Sequence, residues 1–196
     1  MSRPKARTLR SGPMQASLVM TVIAPDRPGL VELISNLVAQ HGGNWLESRM
    51  SHLGGHFAGI LRVQVPTEQE RSLIDALQHL QSQGLSIVAH SDRQTKIAAP
   101  EPLWLLEIVG QDRPGIVREI SRVLARRGVN VEELETECQS AAMSGEMMFT
   151  ARAKVRVPAA CSVGDLRGEL EKIGQDLIVE VSLQQLPTEQ AAAAST

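Results

Sequence analysis

Aromatic side chains are nearly absent from this chain of 196 residues: Trp45, Trp104, Phe57 and Phe149 stand alone, and there is no tyrosine. So few rings exclude the stacked aromatic platforms that hold single-stranded nucleic acid. They also require a core built from Leu, Ile, Val, Met and Ala. A dominant charge is missing too. Twenty Lys and Arg against 22 Asp and Glu leave a formal net charge of −2, so no global basic field exists to hold a polyanion. The two cysteines, Cys138 and Cys161, form no CxxC pair, and a chain of this length needs no disulfide staples. A reducing, cytoplasmic setting is expected. No apolar run approaches the roughly 18 residues of a membrane span. The opening stretch MSRPKARTLRSGP is basic, but no apolar segment of secretory-signal length follows it. It reads as a flexible tail, with a transit peptide as the alternative.

Recognisable chemistry is lacking as well. There is no GxSxG, HExxH, Walker loop, dinucleotide fingerprint or Cys–His constellation. Nor is there a helix-turn-helix pattern, zinc finger or basic helix. Neither catalysis nor direct DNA binding is expected.

What the chain does contain is a repeat. DRPGLVELISNLVAQHGGN begins at Asp26 and DRPGIVREISRVLARRGVN at Asp112, an offset of 112 − 26 = 86. Across residues 26–47 and 112–133, 11 of 22 positions are identical. Farther on, Phe57 aligns with Phe149 and Pro66 with Pro158, at an offset of 92. The six added residues fall around CQSAAMSGE. Both flanks keep their register, which places the insertion in a turn.

Each copy has the same grammar. Short apolar runs, ASLVMTVIA and LWLLEIVG, suit buried strands. Leu30, Leu33, Ile34, Leu37 and Val38 recur at helical spacing, as do Ile116, Ile120, Val123 and Leu124. Gly42 and Gly128 are placed to end those helices. NWLESRMSHL and NVEELETECQ follow as strands of mixed polarity. HFAGILRVQVP and MMFTARAKVRVP alternate at period two, opposing Ala151, Val155 and Val157 to Arg152, Lys154 and Arg156. Second helices carry Leu73, Leu77 and Leu80, or Leu166, Leu170 and Ile173. LSIVAHS and LIVEVSL close each half as strands. The order βαββαβ, twice, predicts an α+β protein of two ferredoxin-like domains. Each is a four-stranded antiparallel sheet with two helices on one face. The expected boundaries are a tail at 1–15, domains at 16–93 and 103–186 around a linker at 94–102, and a tail at 187–196.

Asp-Arg-Pro-Gly has a structural reading. Proline suits the first helical position, an acidic residue before it caps the first turn, and Gly29 and Gly115 relieve crowding between strand and helix. A binding reading adds Asn44 and Asn130, expected at the same end of the sheet as the helix start. Amides at a helix N-terminus receive a carboxylate, an aspartate accepts an ammonium, and an asparagine amide serves both. Those parts suit a free α-amino acid.

The repeated motif and its βαββαβ setting resemble ACT domains, small regulatory modules that commonly bind amino acids. The resemblance covers most of residues 16–186. It implies ligands at a domain–domain interface, between the loop before the first helix and the start of the second strand. Carried over by position, Asp26, Arg27, Pro28, Gly29 and Asn44 form one candidate site. Asp112, Arg113, Pro114, Gly115 and Asn130 form the other. Some serine-binding members place His and Asn where this chain has Ala24 and Asp26, or Gly110 and Asp112, so a ligand's identity is not carried over. The resemblance further implies a non-enzymatic regulator without a cofactor, whose effector is a small amino acid such as glycine. It would repress glycine-cleavage genes through a partner transcription factor, with no membrane partner and with a homodimer as one assembly. The alternatives are a ligand-free adaptor and a regulatory subunit of an amino-acid metabolic enzyme.

Other features read as structural. His52 and His56 bracket LGG as exposed turn residues, with a two-histidine zinc site lacking any third ligand. Met143, Met147 and Met148 read as packing, and the arginines of the second copy's first helix as a charge-balanced face. Cys138 reads as a redox sensor if it is exposed and as an inert thiol if its strand buries it.

Overall fold

Alternation along QASLVMTVIAP makes β1 (Gln15–Pro25) a strand with one buried face, on which Leu18, Met20, Val22 and Ala24 are all buried. The computed structural model to which this strand belongs describes residues 14–92, 101–141 and 145–187. The expected tails, the linker and Met143 fall almost entirely outside those residues, although β1 already begins at Gln15.

The chain divides into two units, Met1–Thr95 and Lys96–Thr196. In the first, β1 is followed by α1 (Leu30–Gln40), β2 (Asn44–Leu53), β3 (His56–Pro66), α2 (Glu70–His79) and β4 (Ser86–Ser91). The second contains β5 (Leu103–Gln111), α3 (Ile116–Arg126), β6 (Asn130–Ser140), β7 (Met147–Arg156), α4 (Val163–Leu177) and β8 (Val179–Gln185). Each unit is a four-stranded antiparallel sheet, ordered β2-β3-β1-β4 or β6-β7-β5-β8. This is the predicted ferredoxin-like layout.

The predicted apolar stripes face the sheets. Leu30, Ile34 and Val38 of α1 join Leu73 and Leu77 of α2 and the inner residues of the strands in one core. Ile116, Ile120, Val123 and Leu124 of α3 do the same with Leu166 and Leu170 of α4. Burying a Leu or Ile side chain of this kind contributes roughly 1.5–3 kcal/mol. Along β7 the expected opposition holds: Ala151, Ala153 and Val155 are buried while Arg152 is exposed and Lys154 half-buried. The first helices end as expected, with Gly42 N–H bonding Ala39 O and Gly128 N–H bonding Ala125 O.

The insertion lies where the register required. In the first unit Leu53 pairs with His56 across a turn of two glycines, Gly54 and Gly55. In the second, Ser140 pairs with Met147, and six residues, 141–146, bridge them. Both copies also share a β-bulge, between Trp45 and Glu47 and between Val131 and Glu133.

Candidate functional site

The strand-to-helix junctions are built differently from the expectation. The residue that enters α1 is Gly29, with φ 91°, and its twin at α3 is Gly115, with φ 103°. Pro28 therefore precedes the cap and is not the first helical residue. Asp26 caps nothing: no side chain accepts from the first turn of α1 or α3. Its backbone N–H instead bonds Gly55 O at 2.9 Å, as Asp112 N–H bonds Met147 O at 2.8 Å. Passing from the turn at Pro28 into the helix takes one residue in the left-handed region, which glycine adopts without strain. Nor does the glycine relieve crowding, since a Cβ at Gly29 would meet nothing within 4 Å. The outcome is a helix start whose amides carry no side-chain cap and so remain able to receive an external acceptor.

Around the first junction lies a cleft of about 330 Å³, lined by Asp26, Arg27, Gly29, Leu30, Val31, Glu32 and Phe57. Two carboxylates, one guanidinium, the uncapped helix start and one aromatic wall face a common space. Arg27 Nη2 donates to Gln83 O at 3.1 Å, tying the loop to the turn that follows α2. His52, at the end of β2, places Nε2 3.8 Å from Asp26 Oδ2.

The second junction repeats the backbone but not the side chains. Arg118 stands where the first unit has Glu32, and its Nε bonds Glu119 Oε1 at 2.9 Å. Arg113 Nη2 donates to Gln111 Oε1 at 3.1 Å. Cys138 occupies the position of His52, at the repeat offset of 138 − 52 = 86. The strand does not bury the thiol: Cys138 is exposed, on β6, which lies at the edge of its sheet. Its thiol pKa is raised, by partial desolvation first and then by the charge of Asp112 and a hydrogen bond to it.

Asn44 and Asn130 do not belong to these junctions. Asn44 pairs with Gln64, which pairs with Ser17, whereas Pro25 lies beside His56 at the other end of β3. Eight residues of β1 (25 − 17) separate the two levels, about 26 Å at the usual rise per residue. Asn130 is displaced likewise: it pairs with Arg156 beside Leu103, while Gln111 lies at Met148. The reason is strand direction. A helix that runs back along the sheet delivers the next strand parallel to the first, so β2 starts where β1 starts. What meets Asp26 and Asp112 is the end of β2 and β6, hence His52 and Cys138. Sequence reasoning missed both pairings, although each pair recurs at the repeat offset.

The remaining side chains fall into structural roles. His52 pairs with Phe57 rather than with His56, and both histidines are exposed. Among the described residues no cluster of three or more His, Cys, Asp or Glu is arranged to hold a metal. On α3 and its C-cap residue, Arg118 and Arg122 meet Glu119, and Arg126 and Arg127 meet Glu169, the expected balanced face. Arg127 and Glu169 each stabilise the other's charge through their hydrogen bond, raising the first pKa and lowering the second. No described helix is long and apolar enough to cross a membrane.

Comparison with known proteins follows the repeat. Residues 16–90 match one model of the ACT domain and residues 104–159 match another. A UPF0237 protein of Methanopyrus kandleri is 36% identical over 80 residues, 41% of this chain and 83% of that protein. The glycine cleavage system transcriptional repressor of Escherichia coli is 23% identical over 174 residues, 86% of this chain and 90% of that protein. A crystal structure of an unknown protein from Galdieria sulphuraria superposes with a TM-score of 0.79 at 27% identity, covering 89% of this chain and all of that one. One match in each half, on a βαββαβ fold written twice, makes this chain a member of the ACT-domain family with two such domains in tandem.

Proposed function

We propose that the chain is a non-enzymatic, amino-acid-responsive regulator that takes a small amino acid, glycine foremost, at the first strand-to-helix junction. The cleft beside Asp26 carries this reading. Its volume of about 330 Å³ lies at the lower end of the range for small-molecule sites, room enough for a small amino acid. Asp26 and Glu32 suit an ammonium. The uncapped amides at the start of α1 suit a carboxylate, which the positive end of the helix dipole favours. Leu30 and Phe57 supply its apolar lining. The second junction, where Arg118 replaces Glu32, offers an ammonium one carboxylate fewer.

The name of the Escherichia coli relative, similar over 86% of this chain, extends the reading to repression of glycine cleavage. A net charge of −2 and the lack of a DNA-binding motif favour action through a partner transcription factor rather than by holding DNA. Binding shifts a regulator only by its difference in affinity between two states, and about 1–3 kcal/mol is typical of such coupling.

Thermal melts of the full chain with a panel of free amino acids test this. At 100 times its dissociation constant a bound ligand stabilises by about 2.7 kcal/mol. Glycine is expected to raise the melting temperature, and Asp26→Ala to remove that response. A flat response across the panel at millimolar concentration rejects the sensor and favours an adaptor that keeps the fold without the ligand.

A further inference from the structure

The end of β2 sets an imidazole beside the cleft of the first junction. Side chains alternate along a strand, so His52 shares a face with Met50, and its cross-strand partner Phe57 packs, like Met50, against the core. Phe57 also lines the cleft together with Asp26. His52 Nε2 stands 3.8 Å from Asp26 Oδ2, with the histidine side chain 58% exposed. The ring therefore reaches the same carboxylate that suits a ligand's ammonium. The fold does not require a ring at that position, because the sister strand carries Cys138 there.

Few other charged or titratable groups belong to the elements packed around His52. The junction supplies Asp26 and Arg27, α1 carries only Glu32, and β3 carries His56 and Arg62. On β2 itself Glu47 and Arg49 alternate to the opposite face, where Glu47 meets both Arg49 and Arg62. His56 adjoins Phe57 and so points to that opposite face too, with its Nδ1 3.2 Å from Gly54 O. Arg27 is engaged with Gln83 O. The group that can alter the charge at the cleft is thus His52.

With the imidazole neutral, Asp26, Glu32 and Arg27 leave the cleft one net negative charge, which attracts an ammonium. With it protonated, that net charge is cancelled and Asp26 already faces a cation. Imidazolium and ammonium then compete for one carboxylate and repel each other. Histidine is the side chain that ordinarily changes charge between about pH 5 and 8, whereas carboxylates and guanidinium groups ordinarily keep theirs. Binding and protonation are reciprocal: an ammonium at Asp26 disfavours the proton on His52, so that proton weakens the ammonium by the same factor. The thiol of Cys138 has no cationic form, and the second junction lacks this coupling. We infer that His52 couples amino-acid binding at the first junction to the release of a proton, so that the domain takes its ligand more weakly in acid. The inference rests on the placement of the amino acid proposed above.

Calorimetric titration of the full chain with glycine, in buffers of different ionisation enthalpy, reads both affinity and protons exchanged. Affinity is expected to be about two- to fivefold weaker at about pH 5.5 than at about pH 8, the span of one exposed charge pair. At about pH 6.5 a fraction of a proton should leave for each glycine bound. His52→Gln should remove both the pH dependence and the proton release, and His56→Gln should behave as the parent, with circular dichroism verifying each fold. Glycine that binds the parent equally at both pH values, a parent that releases no proton, or a folded His52→Gln that keeps the pH dependence overturns the coupling and leaves the site standing. No binding at either pH overturns the site and the coupling together.

Discussion

His52 Nε2 stands 3.8 Å from Asp26 Oδ2, and 86 residues later the Cys138 thiol stands against Asp112 in the same place. One position of the repeat thus sets two different titratable groups beside one conserved feature of the chain's own pattern, the aspartate of each junction. The imidazole and carboxylate are both largely exposed, so their attraction contributes little to stability. The consequence is functional: two junctions with one backbone present different chemistry to a ligand.

Alkylation of Cys138 reads the second junction directly. Partial desolvation first, and then the charge of Asp112 and a hydrogen bond to it, raise the thiol pKa, and only the thiolate attacks an alkylating agent. In a Cys161→Ser background, Asp112→Asn is expected to speed iodoacetamide labelling of Cys138 at neutral pH. An unchanged rate would place the carboxylate elsewhere in solution.

The two positions Asp26 and Gly29 separate in stability. Since Asp26 caps no helix, Asp26→Ala should fall within about 0.5 kcal/mol of the parent, the usual span for exposed sites. Gly29→Ala forces a side chain into the left-handed region and should cost about 1–2 kcal/mol. Urea melts distinguish the two, and a large loss from Asp26→Ala would restore a capping role.

Ile178 is the one described non-glycine residue with positive φ, at 58°. It ends α4 where the first domain uses Gly84, at φ 82°. A β-branched residue is strained there. It is also 60% exposed, so little burial is lost on replacing it. Ile178→Gly is expected to stabilise by about 1 kcal/mol, seen as a higher urea midpoint at unchanged slope.

The cores of the two domains are filled unequally. Trp45 and Leu61 of the first correspond to Val131 and Ala153 of the second. An apolar cleft opens there among Leu106, Ile120, Leu124 and Ala153. Ala153→Leu should fill it and add about 0.5–2 kcal/mol, the usual return of cavity filling. Destabilisation would show that the cleft is too shallow for the added carbons.

Acid tests the tie between α3 and α4. Glu169 has its pKa lowered by its hydrogen bond to Arg127, with further help from the charges of Arg127 and Arg126. A carboxylate depressed in the folded state contributes stability that is complete above its unfolded pKa, about 4.3. That contribution is lost as pH falls through the folded value. Glu169→Gln should therefore lower stability at neutral pH and flatten its decline below about pH 5. Parallel pH profiles for parent and variant would remove the ion pair from the account.

Much of this molecule is legible in one dimension. Periods of two and 3.6 residues located the strands and helices. Glycines at 42 and 128 ended the first helices, and a six-residue change of offset found the longer hairpin. These features are local: each depends on neighbours within a few positions, whose spacing alone decides which face is buried. The duplication is legible for the same reason, since it compares the chain with itself.

What faces what was settled only in three dimensions. Asn44 sits one sheet-length from Asp26 because β2 runs parallel to β1, a direction the crossover imposes and periodicity does not carry. His52 and Cys138 meet the aspartates through that same direction. Pro28 stands outside its helix because the backbone needed a left-handed glycine after it, and Cys138 is exposed on a strand that the sheet order places at an edge. Each of these is a relation between residues distant in the chain, set by packing rather than by pattern.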